Sequence, residues 1–209
     1  MTRGTPEYIE AVQRVKIDFF TEHLGLDING ILHAGTNDGY EMQFYRDMGI
    51  ERLAGVEPLP SAIALFRKKY PWILLFEYAL SDHSGKSPLT VVLPGDGQGS
   101  SLHAEVSPHP EYDYSTTIEV QAIRGDALPL PWDLYNCLVM DVQGHELQAL
   151  RGFGERLRGF QMLSVECSIE PVYHGGATAA EVEAYLDSMG FERRSPLEEH
   201  TDVFFTRRQ

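Results

Sequence analysis

The sequence predicts an α/β protein with a mostly parallel twisted sheet, helices on both faces and an antiparallel C-terminal strand. Three observations support this prediction. Short apolar runs alternate with segments of helical period, the connections between them are short, and a glycine-containing turn follows the first apolar run. Such alternation indicates right-handed crossovers, and 209 residues suffice for one such domain and are short for two. We expect a single domain over 1–209, with 1–28 as an N-terminal helical extension.

The individual elements follow from periodicity and from helix start and stop signals. A helix is predicted over 6–24, after Thr5-Pro6, which form a cap and a first-turn proline. The next elements are strands at 31–34, 52–57 and 73–80, separated by helices at 39–48 and 60–70. A long polar loop over 94–116 lies between β-like runs at 87–93 and 117–123. The alternation then resumes with strands at 134–141 and 161–168, helices at 144–153 and 178–189, and a closing antiparallel pair at 191–194 and 203–206. Thr178 and Glu181 have the spacing of a capping box.

Composition restricts the classes of function. The net charge of −14 argues against nucleic acid as a partner, because phosphate binding needs a basic face. No apolar stretch approaches the length of a membrane span, and nothing resembles a secretion signal, so we expect a cytoplasmic protein without a membrane partner. Cys137 and Cys167 are expected to be buried free thiols, although a disulfide between neighbouring strands is conceivable. The N-terminal helix packs either on the domain or on a second copy in a homodimer.

The first turn and the second strand together indicate a nucleoside site. Gly35 and Gly39 allow a sharp turn and a close approach of the backbone to a ligand. Glu57 ends the next strand at the spacing typical of a carboxylate that accepts from ribose hydroxyls. The pattern fits NAD, FAD and S-adenosylmethionine (SAM). The spacing Gly-x-x-x-Gly lacks the third glycine of a pyrophosphate cradle, which favours SAM, with Asn37 and Asp38 near its ammonium group.

The chain resembles the FkbM-type family of SAM-dependent methyltransferases. The similarity covers about 31–191 and is carried by LHAGTNDGYE, GVEPLP, YALSD, SSL, YNCLVMDVQGHELQALRGF and LSVECSIEPVYHGG. It implies a Rossmann-like class I methyltransferase fold and O-methylation of a hydroxyl on a sugar, glycan or other small metabolite. The cofactor-binding residues that the resemblance implies are Gly35, Asn37, Asp38, Gly39, Glu57, Pro58, Ala79, Leu80, Ser81, Asp141 and Gln143. One departure is His33, where many methyltransferases have an acid; we expect a packed strand residue there rather than a base.

The catalytic candidates are Asp141, Glu166 and His145. Asp141 and Glu166 end two successive predicted strands, so their carboxylates can face one crevice, where they hold a divalent metal or share a proton. Asp141 is the first choice for a general base or a metal ligand, and it can also cap the following helix. His145 and Glu146 resemble the start of a zinc-protease helix, but Ala149 replaces the second histidine, which excludes that site.

The acceptor-binding candidates lie in two loops: Ser101 and His103 in the first, Tyr173 and His174 in the second. Two other functions remain open. A nicotinamide-dependent oxidoreductase is disfavoured by the missing glycine and by the absence of a Tyr-x-x-x-Lys pair. A non-catalytic nucleoside-binding protein of the same fold is disfavoured by the intact glycines and acids.

Overall fold

A computed structural model describes residues 11, 14–93, 99–106, 111, 113–197 and 201–208. The strands are β1 Ile31–Ala34, β2 Leu53–Val56, β3 Leu74–Phe76, β4 Ala79–Ser81, β5 Gly85–Leu93, β6 Asp113–Arg124, β7 Cys137–Met140, β8 Met162–Cys167, β9 Phe191–Arg193 and β10 Thr201–Arg207. The α-helices are α1 Tyr40–Asp47, α2 Pro60–Lys69, α3 Glu146–Phe153 and α4 Ala179–Ser188. Short helical turns cover Phe19–His23, Gly125–Ala127, Trp132–Leu134 and Gly154–Gly159.

Seven strands form a sheet in the order β3-β2-β1-β7-β8-β10-β9, which confirms the predicted α/β fold. The first five strands in this order are parallel, and β10 runs antiparallel to both β8 and β9. Strand order reverses between β1 and β7. The chain first adds β2 and β3 on one side of β1, and it later adds β7 and the strands that follow on the other side. In open α/β sheets the ligand-binding crevice lies at the carboxyl ends of the two strands between which the order reverses, so we expect it after β1 and β7.

Both faces of the sheet are covered, which explains why its parallel strands are mostly apolar. Leu32 of β1 and Leu138 of β7 point into a core with α3 and α4. Ile31 and Val139, one residue along each strand, point to the opposite core. That second core contains α1, part of α2 and the N-terminal helical residues, including the buried Phe20. The described part of the N-terminal extension thus packs on the domain itself.

A second sheet corrects two sequence predictions. The predicted strand at 73–80 is wrong in its extent, because β3 ends at Phe76 and β4 belongs to a separate sheet of order β4-β6-β5. The exposed Glu77 lies between them and pairs with Arg67 of α2, so the chain leaves the main sheet there. The predicted loop over 94–116 is shorter, since β6 begins at Asp113. Parts of that loop, 94–98, 107–110 and 112, lie outside the described residues.

Other local predictions are confirmed. Thr178 and Glu181 form both hydrogen bonds of a capping box at the start of α4. Cys137 and Cys167 are free and buried, so the alternative of a disulfide is wrong. Within the described residues, none of the helices combines the length and the apolar character that crossing a membrane would require.

Candidate functional site

The turn between β1 and α1 lies where the sheet reverses strand order. Gly35 has a φ of +80°, and a Cβ atom there would lie 1.7 Å from the carbonyl oxygen of Asp141 at the end of β7. Gly39 has a φ of +78°, and its Cβ atom would lie 2.4 Å from the Phe66 ring. Any other residue at these two positions would place its Cβ atom in a clash and would also adopt an unfavourable positive φ. They let the backbone of this turn approach β7 and α2 closely.

Two buried oxygen atoms in this turn have no hydrogen-bond partner among the described residues. They are Oγ1 of Thr36 and Oδ1 of Asn37. Buried polar atoms are almost always paired in folded proteins, so such atoms mark a place where a ligand is expected. An amide oxygen accepts hydrogen bonds, and an ammonium group such as that of SAM donates them. The turn therefore fits the amino-acid end of SAM.

Glu57 follows β2 and is held by two backbone amides. Its Oε2 accepts from the Asn37 amide at 2.9 Å, and its Oε1 accepts from the Leu59 amide at 2.8 Å. Burial raises the pKa of Glu57 to about 7, against the lowering effect of these hydrogen bonds, and the charge of Asp141 raises it further. Each carboxylate oxygen has a second lone pair that can accept from a hydroxyl. The half-buried Pro58 continues this wall of the crevice.

Asp38 has partners on the side of α2. Its carboxylate contacts the ammonium group of Lys69 and accepts from the Tyr40 amide at 3.1 Å. It thus joins the start of α1 to the end of α2. For Asp38 to bind the ammonium group of SAM as well, its carboxylate would have to accept a further hydrogen bond in addition to these two contacts.

The side chains of Asp141, Gln143, Glu146 and Glu166 converge at the carboxyl ends of β7 and β8, as sequence reasoning predicted for Asp141 and Glu166. The side-chain amide of Gln143 donates to Asp141 and, at 3.3 Å, to Glu166. Gln143 adopts a left-handed φ of +55°, which turns its side chain back toward both acids. Oxygen atoms of Asp141, Glu146 and Glu166 lie within 4.8 Å of one another. Such spacing suits either a divalent cation or shared protons.

The hydrogen bonds of this cluster favour shared protons. Burial, the charge of Asp141 and a hydrogen bond with Asp141 raise the pKa of Glu166. Burial and the charge of Asp141 also raise the pKa of Glu146 to about 7. Glu146 accepts from the amides of Val142 and Gly144 at 3.0 and 3.1 Å, so it holds the turn that precedes its own helix. Glu166 therefore keeps its proton to a higher pH than an exposed glutamic acid does, and a proton on Glu166 can form its hydrogen bond with Asp141.

The two predicted acceptor loops pair with each other. Glu105 and Tyr173 form an antiparallel bridge, and the His174 amide donates to the Ala104 carbonyl at 2.7 Å. Oγ of Ser101 donates to the Gln143 carbonyl, and the Tyr173 hydroxyl donates to the Gln143 side chain. The two loops and the turn after β7 thus form one wall of the crevice. The His174 side chain is exposed at the edge of this wall.

His145 lies behind that wall and links it to β4. Its Nδ1 is 2.8 Å from Nε2 of His103, and its Nε2 is 3.0 Å from Oγ of Ser81. Burial and the nearby His103 lower the pKa of His145 to about 4. Ala79, Leu80 and Ser81, expected near the adenine, form β4 and are buried.

Sequence reasoning missed a second polar cluster on the face covered by the N-terminal helix. The buried Lys16 pairs with Asp202 of β10 at 2.9 Å. Burial lowers the pKa of Lys16, but Asp202, Glu41 and Asp141 outweigh this effect and raise it. One feature of the sequence could have indicated this cluster. Lys16 lies four residues before the apolar Phe20, so the two residues share one face of the helix, and that face is buried.

His33 lies in the same region as a packed strand residue. Its Nδ1 is 3.2 Å from the Tyr45 hydroxyl, and its side chain is buried. Burial, followed by the charge of Lys16, lowers the pKa of His33 to about 3. The imidazole is therefore neutral and hydrogen-bonded, in agreement with the sequence expectation.

Comparisons with known proteins agree with this geometry. A family model described as the methyltransferase FkbM domain matches residues 33–193. No curated protein matches the chain in sequence. Among solved structures, magnesium protoporphyrin IX methyltransferase (ChlM) from Synechocystis PCC 6803, solved with SAM, is 10% identical with a TM-score of 0.52, over 96% of this chain and 80% of that one.

Two further structures have the same fold. DesVI of Streptomyces venezuelae is 11% identical with a TM-score of 0.56, over 95% of this chain and 91% of that one. CalS10, an amino pentose methyltransferase from Micromonospora echinaspora solved with SAM, is 11% identical with a TM-score of 0.55, over 99% of this chain and 93% of that one. At such identities the structures establish the fold alone, whereas the family model covers most of the chain. The chain belongs to the FkbM family of SAM-dependent methyltransferases.

Proposed function

We propose that this methyltransferase transfers the methyl group of SAM to a hydroxyl oxygen of a small metabolite, sugar or glycan. The observation that carries the proposal is the β1–α1 turn. It places the unpartnered oxygen atoms of Thr36 and Asn37 close to Glu57, at the point where strand order reverses. SAM supplies an activated methyl group on a positively charged sulfur.

The residues of the turn and of β2 would hold the two polar ends of SAM. Asn37 accepts from the ammonium group, and Glu57 accepts from ribose hydroxyls with the lone pairs that its backbone partners leave free. Ala79, Leu80 and Ser81 would border the adenine. Because the binding wall is rich in carboxylates, a cationic donor is favoured over an anionic one.

Asp141, Gln143 and Glu166 would shape the position of methyl transfer. The side chain of Asp141 would lie beside the positively charged sulfur, and Gln143 fixes the orientation of both acids. Ser101, His103, Tyr173 and His174 form the wall that would position the acceptor hydroxyl. Alignment of oxygen, methyl carbon and sulfur is a large part of the rate enhancement in such reactions.

The wall formed by Ser101, His103, Tyr173 and His174 is polar and carries hydroxyl and imidazole groups. This composition supports an acceptor that is itself polar and of low charge. CalS10 is an amino pentose methyltransferase, so this fold serves a sugar acceptor in that protein. We extend this class of acceptor to the present chain as part of the proposal.

Isothermal titration calorimetry tests the cofactor. SAM and S-adenosylhomocysteine should bind, and NAD should not. Glu57→Gln should weaken S-adenosylhomocysteine binding about tenfold or more, because hydrogen bonds to a charged group are lost. Glu77→Gln is the matched control, since Glu77 follows the neighbouring strand but pairs with Arg67 at the surface. NAD binding without S-adenosylhomocysteine binding would reject the proposal in favour of an oxidoreductase.

Methyl transfer tests the reaction. Methyl-labelled SAM is incubated with the protein and fractionated metabolite and glycan extracts, and the labelled product is analysed for a base-stable methyl ether. Asp141→Asn should lower the transfer rate on the order of 10²-fold. Label on nitrogen or carbon would correct the acceptor atom, and binding of SAM without any transfer would favour a non-catalytic protein.

A further inference from the structure

The face of the main sheet that the N-terminal helix covers becomes polar toward the crevice. Val139 of β7 and Ser164 of β8 are register partners, and Val139 belongs to the core on this face. Asp141 and Glu166 follow them by two residues along each strand, so they continue the same face. Glu166 is in turn the register partner of Asp202 on β10. The strands therefore bring the side chains of these acids together beneath the N-terminal helix.

Lys16 of the N-terminal helix supplies a positive charge to these acids. Its Nζ lies 2.9 Å from a carboxylate oxygen of Asp202, and only 8% of its side chain is exposed. Burial alone would lower the pKa of Lys16, but the charges of Asp202, Glu41 and Asp141 raise it. The ammonium group is therefore charged, and it lies near β10, the end of β7 and the first turn of α1.

We propose that Lys16 binds the carboxylate group of SAM, so that the N-terminal helix forms part of the cofactor site. The proposal rests on the proposed binding of SAM at the β1–α1 turn, and it assigns a partner to the one anionic group of that cofactor. SAM carries its ammonium and its carboxylate on the same carbon atom. If Asn37 binds the ammonium, the carboxylate must lie directly beside this turn.

Asp141 and Glu41 connect the β1–α1 turn to Lys16. A Cβ atom on Gly35 would lie 1.7 Å from the Asp141 carbonyl oxygen, so the turn and the end of β7 are in contact. Glu41 follows Asn37 by four residues and lies in the first turn of α1. Both acids act on the charge of Lys16, so its ammonium group lies on the side of the turn where these two acids are.

The acidic character of the crevice makes a cation necessary for a ligand that carries a carboxylate. Burial, and in addition the charge of Asp141, raises the pKa of Glu57 and of Glu166, so negative charge is already in excess there. A ligand carboxylate would add to this excess unless a positive group met it. Lys16 is a positive group within the protein that can do so.

Lys16 also has the capacity for a second partner. An ammonium group has three N–H donors, and the ion pair with Asp202 uses one of them. Oγ of Ser164 donates to the other carboxylate oxygen of Asp202 at 3.3 Å, which fixes the position of this acid. Ile17 and Phe20, on the same helix, are buried in the core. The lysine is thus held in place before a ligand arrives, which reduces the entropy lost on binding.

Lys69 is the competing cation near the turn. Its ammonium group contacts Asp38, and 40% of its side chain is exposed, against 8% for Lys16. Water screens an exposed charge, so such a lysine contributes less to the binding of an anion than a buried one does. Lys69 therefore provides the matched control: it is also an ion-paired lysine beside the turn, but on the side of α2.

The test is isothermal titration calorimetry of the whole chain with two ligands, S-adenosylhomocysteine and its decarboxylated form, which keeps the amine and lacks the carboxylate. The unaltered protein should prefer S-adenosylhomocysteine about tenfold or more, because the decarboxylated ligand loses a hydrogen bond between charged groups. Lys16→Met should abolish or reverse this preference, since an acidic crevice without that cation favours the ligand that lacks a carboxylate. Lys69→Met should retain the preference.

Lys16→Met leaves Asp202 without its cation, so the double variant Lys16→Met with Asp202→Asn replaces it if the single variant does not fold. Equal affinity of the unaltered protein for the two ligands would overturn the assignment of Lys16. Loss of the preference in Lys69→Met, with its retention in Lys16→Met, would overturn it as well. If S-adenosylhomocysteine does not bind the unaltered protein, the proposed function fails too. If it binds and Lys16→Met keeps the preference, only the role of Lys16 is rejected.

Discussion

At the scale of single residues, Gly35 is the described glycine whose added Cβ atom would meet the shortest contact. Gly35→Ala places a methyl group against the Asp141 carbonyl, with 1.7 Å between the two atoms, and must push β1 and β7 apart. Gly49→Ala is the matched control, because Gly49 has a φ of +85° and no atom within 4 Å of its Cβ position. We expect Gly49→Ala to cost about 1–2 kcal/mol of unfolding free energy through conformation alone.

Gly35→Ala should cost about 2 kcal/mol more than that control, since overpacking adds to the conformational effect. Urea denaturation of both variants measures the difference. Equal losses would contradict a close approach between the turn and β7.

Residues whose role is set by neighbours in the chain were predictable, and residues whose role is set across the fold were not. Gly35 and Glu57 stand at the ends of recognisable strands, so the sequence alone indicates their surroundings. Lys16 joins a buried polar cluster only because the N-terminal helix packs over the sheet beside β10. Its partner Asp202 lies at the far end of the chain, and no local pattern connects the two.

At the scale of elements, the two acceptor loops depend on Ser101. Its hydroxyl donates to the Gln143 carbonyl and accepts from the His103 amide at 2.9 Å. Ser101→Ala should therefore loosen the first loop and increase the hydrogen-exchange rate of the His103 amide about fivefold, as expected for the loss of about 1 kcal/mol. Ser100→Ala is the control, because that hydroxyl accepts from the Val92 amide instead.

Amide hydrogen exchange followed by mass spectrometry or nuclear magnetic resonance measures this effect. Calorimetry on Ser101→Ala should give an unchanged affinity for S-adenosylhomocysteine, since the cofactor turn is on another strand. Equal exchange in both serine variants would contradict the proposed role of Ser101.

The elements also show where periodicity misleads. The apolar run at 73–80 looks like one strand, yet the exposed Glu77 interrupts it. The residues after it form β4, which belongs to the second sheet. Single-sequence periodicity cannot tell which sheet a strand joins, because that choice depends on β6, which lies more than thirty residues later. By contrast, α4 has its own cap in Thr178 and Glu181, and its start was predicted to within one residue.

At the scale of the whole molecule, buried ionisable groups should place the stability maximum on the acidic side of neutrality. Burial raises the pKa of Glu41, Glu57 and Glu146 from 4.5 to about 7, so the folded state loses stability as pH rises through this range. Burial lowers the pKa of His33 and His145 from 6.5 to about 3 and about 4, so the folded state loses stability as pH falls through that range. The maximum should therefore lie between 4.5 and 6.5.

Urea denaturation at a series of pH values locates this maximum. Glu41→Gln should flatten the decline toward neutral pH, because it removes one of the raised carboxyl groups. Added SAM should move the maximum toward neutrality, since a cationic ligand favours ionised carboxylates. Stability that rises steadily from about pH 5 to about pH 8 would contradict the burial of these acids.

The β5–β6 ribbon has a consequence for how this enzyme can diversify. Leu93 and Asp113, at the open end of the ribbon, are cross-strand partners, so the two ends of the intervening segment lie side by side. Insertions or deletions there change the closure entropy only slowly with length and leave the main sheet untouched. If this segment binds the acceptor as we propose, we expect changes in its length or sequence to alter the choice of acceptor, while the glycine turn after β1 stays the same.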